Sequence, residues 1–465
     1  SLNIRGFGAP LVIVDGVEGS IENLDAGQIE SITILKDGSG SIYGARAGNG
    51  VILVTTKTGS NQKTTVTVNS SVTMQSNIVT TLPATSRQRA QFQNDVYLNK
   101  GGNPTRVPYS AEQLELYDAG TDPAFLNSDW YHEVIRKYAP QQNHNMSVSG
   151  GTDRVKYYGY FGYNRQELQF KPNSGYYDRF NFQANFSAKA TDQLTIGMNM
   201  QYMKDCKNYP SGGDLFQDGV NFWQGIIYSA DPRYPLYLPD ENILSYANMQ
   251  NGSPIWAVNI NNSGYYRTNN NNFKVTGFAE YAFKYVPGLK AKANILYNYN
   301  AGDLKWFHKR GQFYTYNATK NEYAFAAGSV APSSLRMDSS MGSTIVQQYS
   351  LNYDNDFGLH HVSALAMYEA TLSQYRNFWT KREKFETTII EEMSSGDKET
   401  ALNDSGSSNY GRNSFIGRLN YSYADKYLFE ATLRADASSR FAKGYRWGLF
   451  PSVSAGWNIA KEDFM

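Results

Sequence analysis

Asp37-Gly38-Ser39-Gly40-Ser41-Ile42-Tyr43-Gly44 is the stretch of this chain most like a phosphate-cradling loop, because closely spaced glycines let backbone N–H groups converge on an anion. The rest of that chemistry is missing. GSGSIYG lacks the terminal GK[ST] of a P-loop and puts Tyr43 where a GxGxxG motif needs glycine, so a small-residue turn or short helix is the preferred reading. The five histidines, His132, His144, His308, His360 and His361, are dispersed. The adjacent pair projects to opposite faces of a strand with no Cys or Glu at ligand spacing, and no metal site is expected. No two carboxylates present themselves as a general acid and base, and no G-x-S-x-G nucleophile elbow occurs. The expectation is a chain that is not an enzyme and carries no cofactor. Asp15-Gly16 and Gly48-Asn49-Gly50 read as turns that need positive φ.

Composition narrows the class. Tyr 36, Phe 24 and Trp 7 make the chain 14% aromatic, charged residues are only 18% and Gly reaches 40, a blend suited to many strands and tight turns. A formal net charge of +1 provides no long-range field for nucleic acid, which is excluded as a partner. The single cysteine, Cys206, rules out an internal disulfide framework. No run approaches the roughly 18 apolar residues of a membrane-spanning helix. That leaves a membrane open, because barrel strands expose apolar side chains only at alternate positions.

Such alternation begins near residue 141 and recurs. Phe180, Phe182, Ala184, Phe186, Ala188 and Ala190 share one face, against Arg179, Asn181, Gln183, Asn185, Ser187 and Lys189. The same pattern runs through Leu194–Tyr202, Ala291–Tyr299 and Tyr427–Ala435. These runs last about ten to thirteen residues, where soluble domains favour about five or six. At about 3.3 Å per residue they reach roughly 35 to 40 Å, enough to cross an apolar band about 25 Å tall when tilted. Short turns at Gly151-Asp153, Thr191-Asp192, Pro287-Gly288 and Ala424-Asp425 alternate with long joins near 205–272, 302–344 and 384–410. Short turns on one rim and long loops on the other describe an outer-membrane barrel, here with about a dozen strands from near 63–75 to near 447–460. Helix-compatible stretches within 84–137 read as an extracellular insertion. The Asn-rich run NINNSGYYRTNNNN (259–272) reads as a flexible solvated loop, with a hint of sugar binding in its aromatic and amide groups.

Residues 1–60 differ. Leu11-Val12-Ile13-Val14, Ile29 to Lys36 and Gly50 to Lys57 are three short strands around the small-residue stretch, together a small mixed α/β domain with a buried sheet. Here the chain resembles the plug domain of TonB-dependent transporters, specifically the SusC/RagA family of Bacteroidetes. The residues that carry the resemblance are PLVIVDGVEGS (10–20), IESITILKDGSGSIYGARAGNGVILVTTKTG (29–59), DWYHEVIRKYAPQQNHNMSVSGGTDRVKYYGYFGYNRQE (129–167) and YLFEATLRADASSRFAKGYRWGLFPSVSAGW (427–457). Gly38 and Gly40 stand where the family more often has Ala, and each costs about 1 kcal/mol in a helix.

The resemblance implies a mainly β protein: a transmembrane antiparallel β-barrel in the bacterial outer membrane, with an N-terminal mixed α/β plug at 1–60 and barrel at 61–465. A plugged transporter of this kind has about 22 strands, so about a dozen form an incomplete barrel, expected to be unstable alone with two unpaired edges in lipid. The signal peptide, TonB box and C-terminal strands are expected to lie outside this chain. The implied function is TonB-dependent import of an oligosaccharide or peptide, with a SusD-like surface lipoprotein and TonB, energised by ExbB and ExbD, as partners. The plug motif is Asp15, Gly16, Lys36, Asp37, Tyr43, Gly44, Arg46, Asn49 and Gly50; Arg46 has two readings, an arginine that pairs with expected wall carboxylates and holds the plug seated, or a solvated lumen charge. The rival reading is a soluble or surface-attached carbohydrate-binding β protein without transport.

Overall fold

The computed structural model describes residues 3–4, 8–35, 38–78, 81–171, 173–211, 229–249, 252–328 and 331–462. Two antiparallel or mixed sheets dominate it. The smaller holds β1 (Leu11–Val14), β2 (Val17–Glu18), β3 (Ile29–Leu35) and β4 (Val51–Thr56) in the order β2-β1-β4-β3, with β1 parallel to β4. Asp15 (φ 53°) and Gly16 (φ 84°) form the two-residue turn between β1 and β2, as an Asp-Gly hairpin demands. Leu11, Ile13, Val14, Val51, Ile52 and Val54 are buried, whereas edge strand β3 leaves Ile32 and Ile34 exposed. The expected buried sheet is therefore buried on β1 and β4 and not throughout.

The larger sheet has twelve antiparallel strands. They are β5 (Thr65–Gln75), β6 (Ala139–Gly151), β7 (Val155–Glu167), β8 (Tyr176–Lys189) and β9 (Leu194–Pro210). After a two-residue loop strand β10 (Leu244–Ser245) come β11 (Gly264–Ala282) and β12 (Leu289–His308). A loop hairpin, β13 (Gln312–Asn317) and β14 (Glu322–Gly328), then precedes β15 (Ser334–Phe357) and β16 (His360–Glu383). β17 (Asp397–Tyr423), β18 (Tyr427–Ser438) and β19 (Trp447–Trp457) complete it. Each strand of the sheet pairs with its sequence neighbour within it, and β5 and β19 are the two edges.

The two faces differ as the alternation requires. Leu194, Tyr281, Ala291, Leu351, Ala366, Gly417 and Leu433 stand in one register row across seven strands, and all lie on the face turned away from the small sheet. The opposite face carries rows such as Gln183, Gln201, Lys274, Asn298, Thr344, Ser373 and Tyr410. Phe182 is 38% exposed beside Gln183 at 0%, and Phe415 is 55% exposed beside Ser414 at 0%. That inverts a soluble protein's order: apolar groups face outward and amides inward.

Strand lengths exceed the expectation. β15 and β16 have 24 residues and β17 has 27. A 24-residue strand runs roughly 80 Å, far more than a tilted crossing of an apolar band about 25 Å tall needs. The excess extends the long-loop rim and shortens the loops themselves to 211–263, 309–333 and 384–396. The Asn-rich run is thereby corrected. From Gly264 it lies within β11, where the Asn270 amide donates to Asp205 (2.9 Å) and the Asn272 amide to Asn298 (3.0 Å). Paired neighbours on both sides supply the backbone bonds that a free loop lacks.

On the same rim, α1 (Ser86–Asn99), α2 (Ala111–Ala119) and α3 (Trp130–Val134) lie in the expected insertion, and two of them start with capping boxes at Thr85 and Ser110. Trp130, Tyr131, Val134, Phe170, Met249, Trp256 and Phe313 pack from four different connections into one apolar core. Asp231, 1% exposed, anchors it: Arg233 Nη2 reaches its carboxylate at 2.7 Å and Trp130 Nε1 donates to its carbonyl at 3.0 Å. Burial pushes the Asp231 carboxyl up, but the hydrogen bonds and charge of Arg233 and the Asn248 amide outweigh it and hold the group below its ordinary value. A depressed folded-state pKa stabilises above the unfolded value of about 4 and is lost as pH falls through the folded one. Amide protection factors in 230–249, taken relative to intrinsic exchange, should therefore fall on acidification below about pH 4, and Asp231→Asn should remove that fall; protection in the wild type that does not change with pH would refute it.

Candidate functional site

The small sheet sits against the inward face of the large one, and the seam between them is made of hydrogen bonds. On β8, Asn181 Nδ2 donates to the Asn23 carbonyl (2.9 Å) and to Gln28 Oε1 (3.1 Å). Gln183 Nε2 donates to Thr56 Oγ1 (3.2 Å) and the Lys57 carbonyl (3.0 Å), and its oxygen accepts from Gln28 Nε2 (3.0 Å). Asn185 Nδ2 also reaches the Lys57 carbonyl, at 2.8 Å. Tyr160 on β7 donates to Asp25, Gln201 on β9 to Asp15 (3.4 Å), Lys274 on β11 to the Val14 carbonyl (3.4 Å), and Gln348 on β15 to the Gly16 carbonyl (3.3 Å). Among the described residues the buried apolar cluster that bridges the two sheets is Val17 with Leu296 and Val346.

The far side of the seam is ionic. Arg434, on β18 and only 4% exposed, donates through Nη1 to the Ile42 carbonyl (2.7 Å), through Nε to Asp436 (2.8 Å) and through Nη2 to Ser414 (3.0 Å). Glu369 on β16 lies 3.6 Å from Arg434 and accepts from Arg412 at 2.7 Å and Gln348 at 2.8 Å. Opposite this cluster, Gly38–Asn49 forms tight 3₁₀ turns broken at Gly44 (φ 73°, ψ −160°). A Cβ on Gly44 would stand 2.5 Å from Asp436 Oδ2 and 2.9 Å from Arg434 Nε, so contact as well as backbone conformation requires glycine.

The remaining motif residues are scattered along this module. Asp15 accepts from the Thr56 amide (2.9 Å) and hydroxyl (2.8 Å), tying the hairpin turn to the end of β4. Tyr43 packs against Leu11, Ile13 and Val51, and burial raises its hydroxyl pKa. Arg46 pairs with Glu18 of the same module, so its partner is not the expected wall carboxylate; wall carboxylate Glu369 is engaged by wall arginines. Asn49 donates to the Ala9 carbonyl (3.4 Å). Gly50 takes φ 89° with Ile4 and the Leu35 carbonyl against it, whereas Gly48 and Asn49 continue the tight turns without positive φ. Lys36 and Asp37 lie outside the described residues. Sequence reasoning missed Gln348, Glu369, Arg412 and Arg434; their signal was a charged or amide group at an inward position of an alternating strand.

His360 bonds to Tyr421 and His361 to Asp356, on separate partners. Among the described residues no three His, Cys, Asp or Glu side chains stand where they would hold a metal ion. The arrangement can instead do something mechanical: occupy a polar concave face through bonds that water can replace.

Residues 1–51 match the family model described as TonB-dependent Receptor Plug Domain. The TonB-dependent receptor SusC of Bacteroides thetaiotaomicron is 26% identical over 495 residues, covering 98% of this chain and 44% of the relative. TonB-dependent receptor P3 of Formosa agariphila is 28% identical over 489 residues, covering 100% of this chain and 42% of the relative. Among solved structures, the RagAB peptide transporter superposes with a TM-score of 0.77 at 21% identity, over 98% of this chain and 52% of that one. The chain thus spans less than half the length of these curated relatives and about half of the solved one.

Proposed function

Since the chain is of the SusC/RagA type of TonB-dependent receptor, an outer-membrane β-barrel with its plug, we propose that the complete protein imports a nutrient across the outer membrane under TonB control. The carrying observation is the seated plug: side chains from β7, β8, β9, β11, β15 and β18 hold residues of 14–57 against the inward face. A net contribution of about 1 kcal/mol per neutral hydrogen bond makes such a seam strong in sum and breakable bond by bond. Water entering the lumen replaces each bond as it breaks, so a pull on the plug's N-terminal side can open the seam without exposing a large apolar core. The division at 1–60 and 61–465, and a gating role for the plug motif, belong to this reading.

The cargo in this reading is an oligosaccharide or peptide, with a SusD-like lipoprotein at the long-loop rim and TonB driven by ExbB and ExbD; the RagAB neighbour, a peptide transporter, supports the peptide, and SusC, a TonB-dependent receptor, supports TonB. We read the chain as non-enzymatic. The soluble carbohydrate-binding alternative fares worse because the outward rows would expose a continuous apolar surface far beyond the few hundred Å² usual for soluble monomers. Inactivating TonB in the producing bacterium should abolish protein-dependent growth on the cargo; undiminished growth would refute coupled import.

A further inference from the structure

Between the plug and β11 to β18 lies a cavity of about 820 Å³. Among the described residues its wall carries six cations, Arg46, Lys274, Lys292, Arg412, Arg434 and Arg440, and two carboxylates, Glu18 and Glu369. Those two are already taken, Glu18 by Arg46 and Glu369 by Arg412 and Arg434. Among the described residues no carboxylate comes within ion-pair contact of Lys274, Lys292 or Arg440, although Asp15 attracts the Lys274 ammonium and Glu280 stands opposite Lys292 in the register. The Lys274 ammonium donates to the Val14 carbonyl, that of Lys292 lies 5.5 Å from the Phe278 ring centre, and the Arg440 guanidinium lies 5.1 Å from that of Tyr410.

The cations are spread along the strands and not gathered at one point. Lys292 and Arg434 share a register row through Ser350, Met367 and Ile416. Arg412 stands four residues closer to the long-loop rim and Lys274 six, while Arg440 follows the end of β18 on that rim. At about 3.3 Å per residue, the first three levels span roughly 20 Å. Beside Lys274 in its own register row stand the neutral amides Gln201 and Asn298, with Asn272 one inward position nearer the long-loop rim, all able to bond hydroxyl or peptide groups. A narrow cavity with an excess of cations focuses the field, and repeated weak sites let an ion enter and still leave.

We propose that this seam binds oligomers bearing repeated carboxylates and passes them from one cation level to the next. The proposal rests on the import reading and names its cargo class. An acidic glycan and an acidic peptide share the chemistry, so the test uses both. Purified complete protein in detergent is titrated calorimetrically with trigalacturonate, tetraglutamate and neutral maltotriose. At least one acidic probe should bind roughly tenfold or more tighter than maltotriose and weaken as salt rises from about 50 mM to about 500 mM. Lys292→Gln with Arg440→Gln should lower that affinity at least roughly tenfold, while protease protection of the plug stays unchanged because neither side chain bonds to it. Binding of trigalacturonate alone assigns a glycan, tetraglutamate alone a peptide, and both the carboxylate irrespective of backbone. Equal affinity for maltotriose, or an unaffected double variant, overturns the proposal. TonB-dependent uptake with no acidic probe bound sinks this inference and leaves import standing; acidic binding without any TonB-dependent uptake does the reverse.

Discussion

Replacing Arg434 with alanine in the complete protein is expected to loosen the plug on the β18 side and raise passive permeability to large solutes. The guanidinium joins the Ile42 carbonyl of the plug to Asp436, Ser414 and Glu369 of the wall. Its loss strips the Ile42 carbonyl of that bond and leaves Asp436 without its partner in a site where Arg434 was 4% exposed. Breaking a buried ion pair from one side costs about 3 to 5 kcal/mol, of which the network here would recover part, because Arg412 still neutralises Glu369. Arg434→Lys should restore charge without the fork geometry and rescue only partly. Influx of a bulky antibiotic into cells producing each variant measures the effect. A leak-tight Arg434→Ala variant, folded at normal levels, would show that the ionic side does not hold the plug.

The second large effect is expected from Asn181→Ala, Gln183→Ala and Asn185→Ala combined. Together these amides make six hydrogen bonds to the plug, and at about 1 kcal/mol each the upper bound is about 6 kcal/mol, less whatever water recovers. The outward residues of β8 are untouched, so barrel assembly should proceed normally. Limited proteolysis should then cut the plug near Lys57 in the triple variant while the heat-modifiable barrel persists. Full protection of the plug would contradict the proposed seam. Combined with Arg434→Ala, the losses should be close to additive, because the two contacts lie on separated strands of the wall.

The barrel was the most legible part because period-two alternation is a local signal. Phe182 beside Gln183 already states which side chain faces what, and the register rows repeat the statement strand after strand. Asp15-Gly16 was legible for the same reason, since an Asp-Gly turn is decided within two residues. Strand length was not. Polar residues such as Asn269 to Asn272 leave no apolar stripe to follow, yet neighbouring strands can pair them fully, so β11 and β17 run on where alternation fades. The seam was hidden because its contacts join residues more than a hundred positions apart: nothing near Arg434 announces Ile42. Arg46 shows the converse, since Glu18, its partner, lay close by in the same module.

The most direct test labels single cysteines at successive positions 180 to 186 of the complete protein, in a Cys206→Ser background, and measures quenching by a lipid-dissolved agent in reconstituted bilayers. The account predicts strong quenching at 180, 182, 184 and 186 and protection at 181, 183 and 185, with the protected set becoming accessible to an aqueous quencher when residues 1–60 are removed. Uniform quenching along the strand, or aqueous exposure of the even positions, would contradict it.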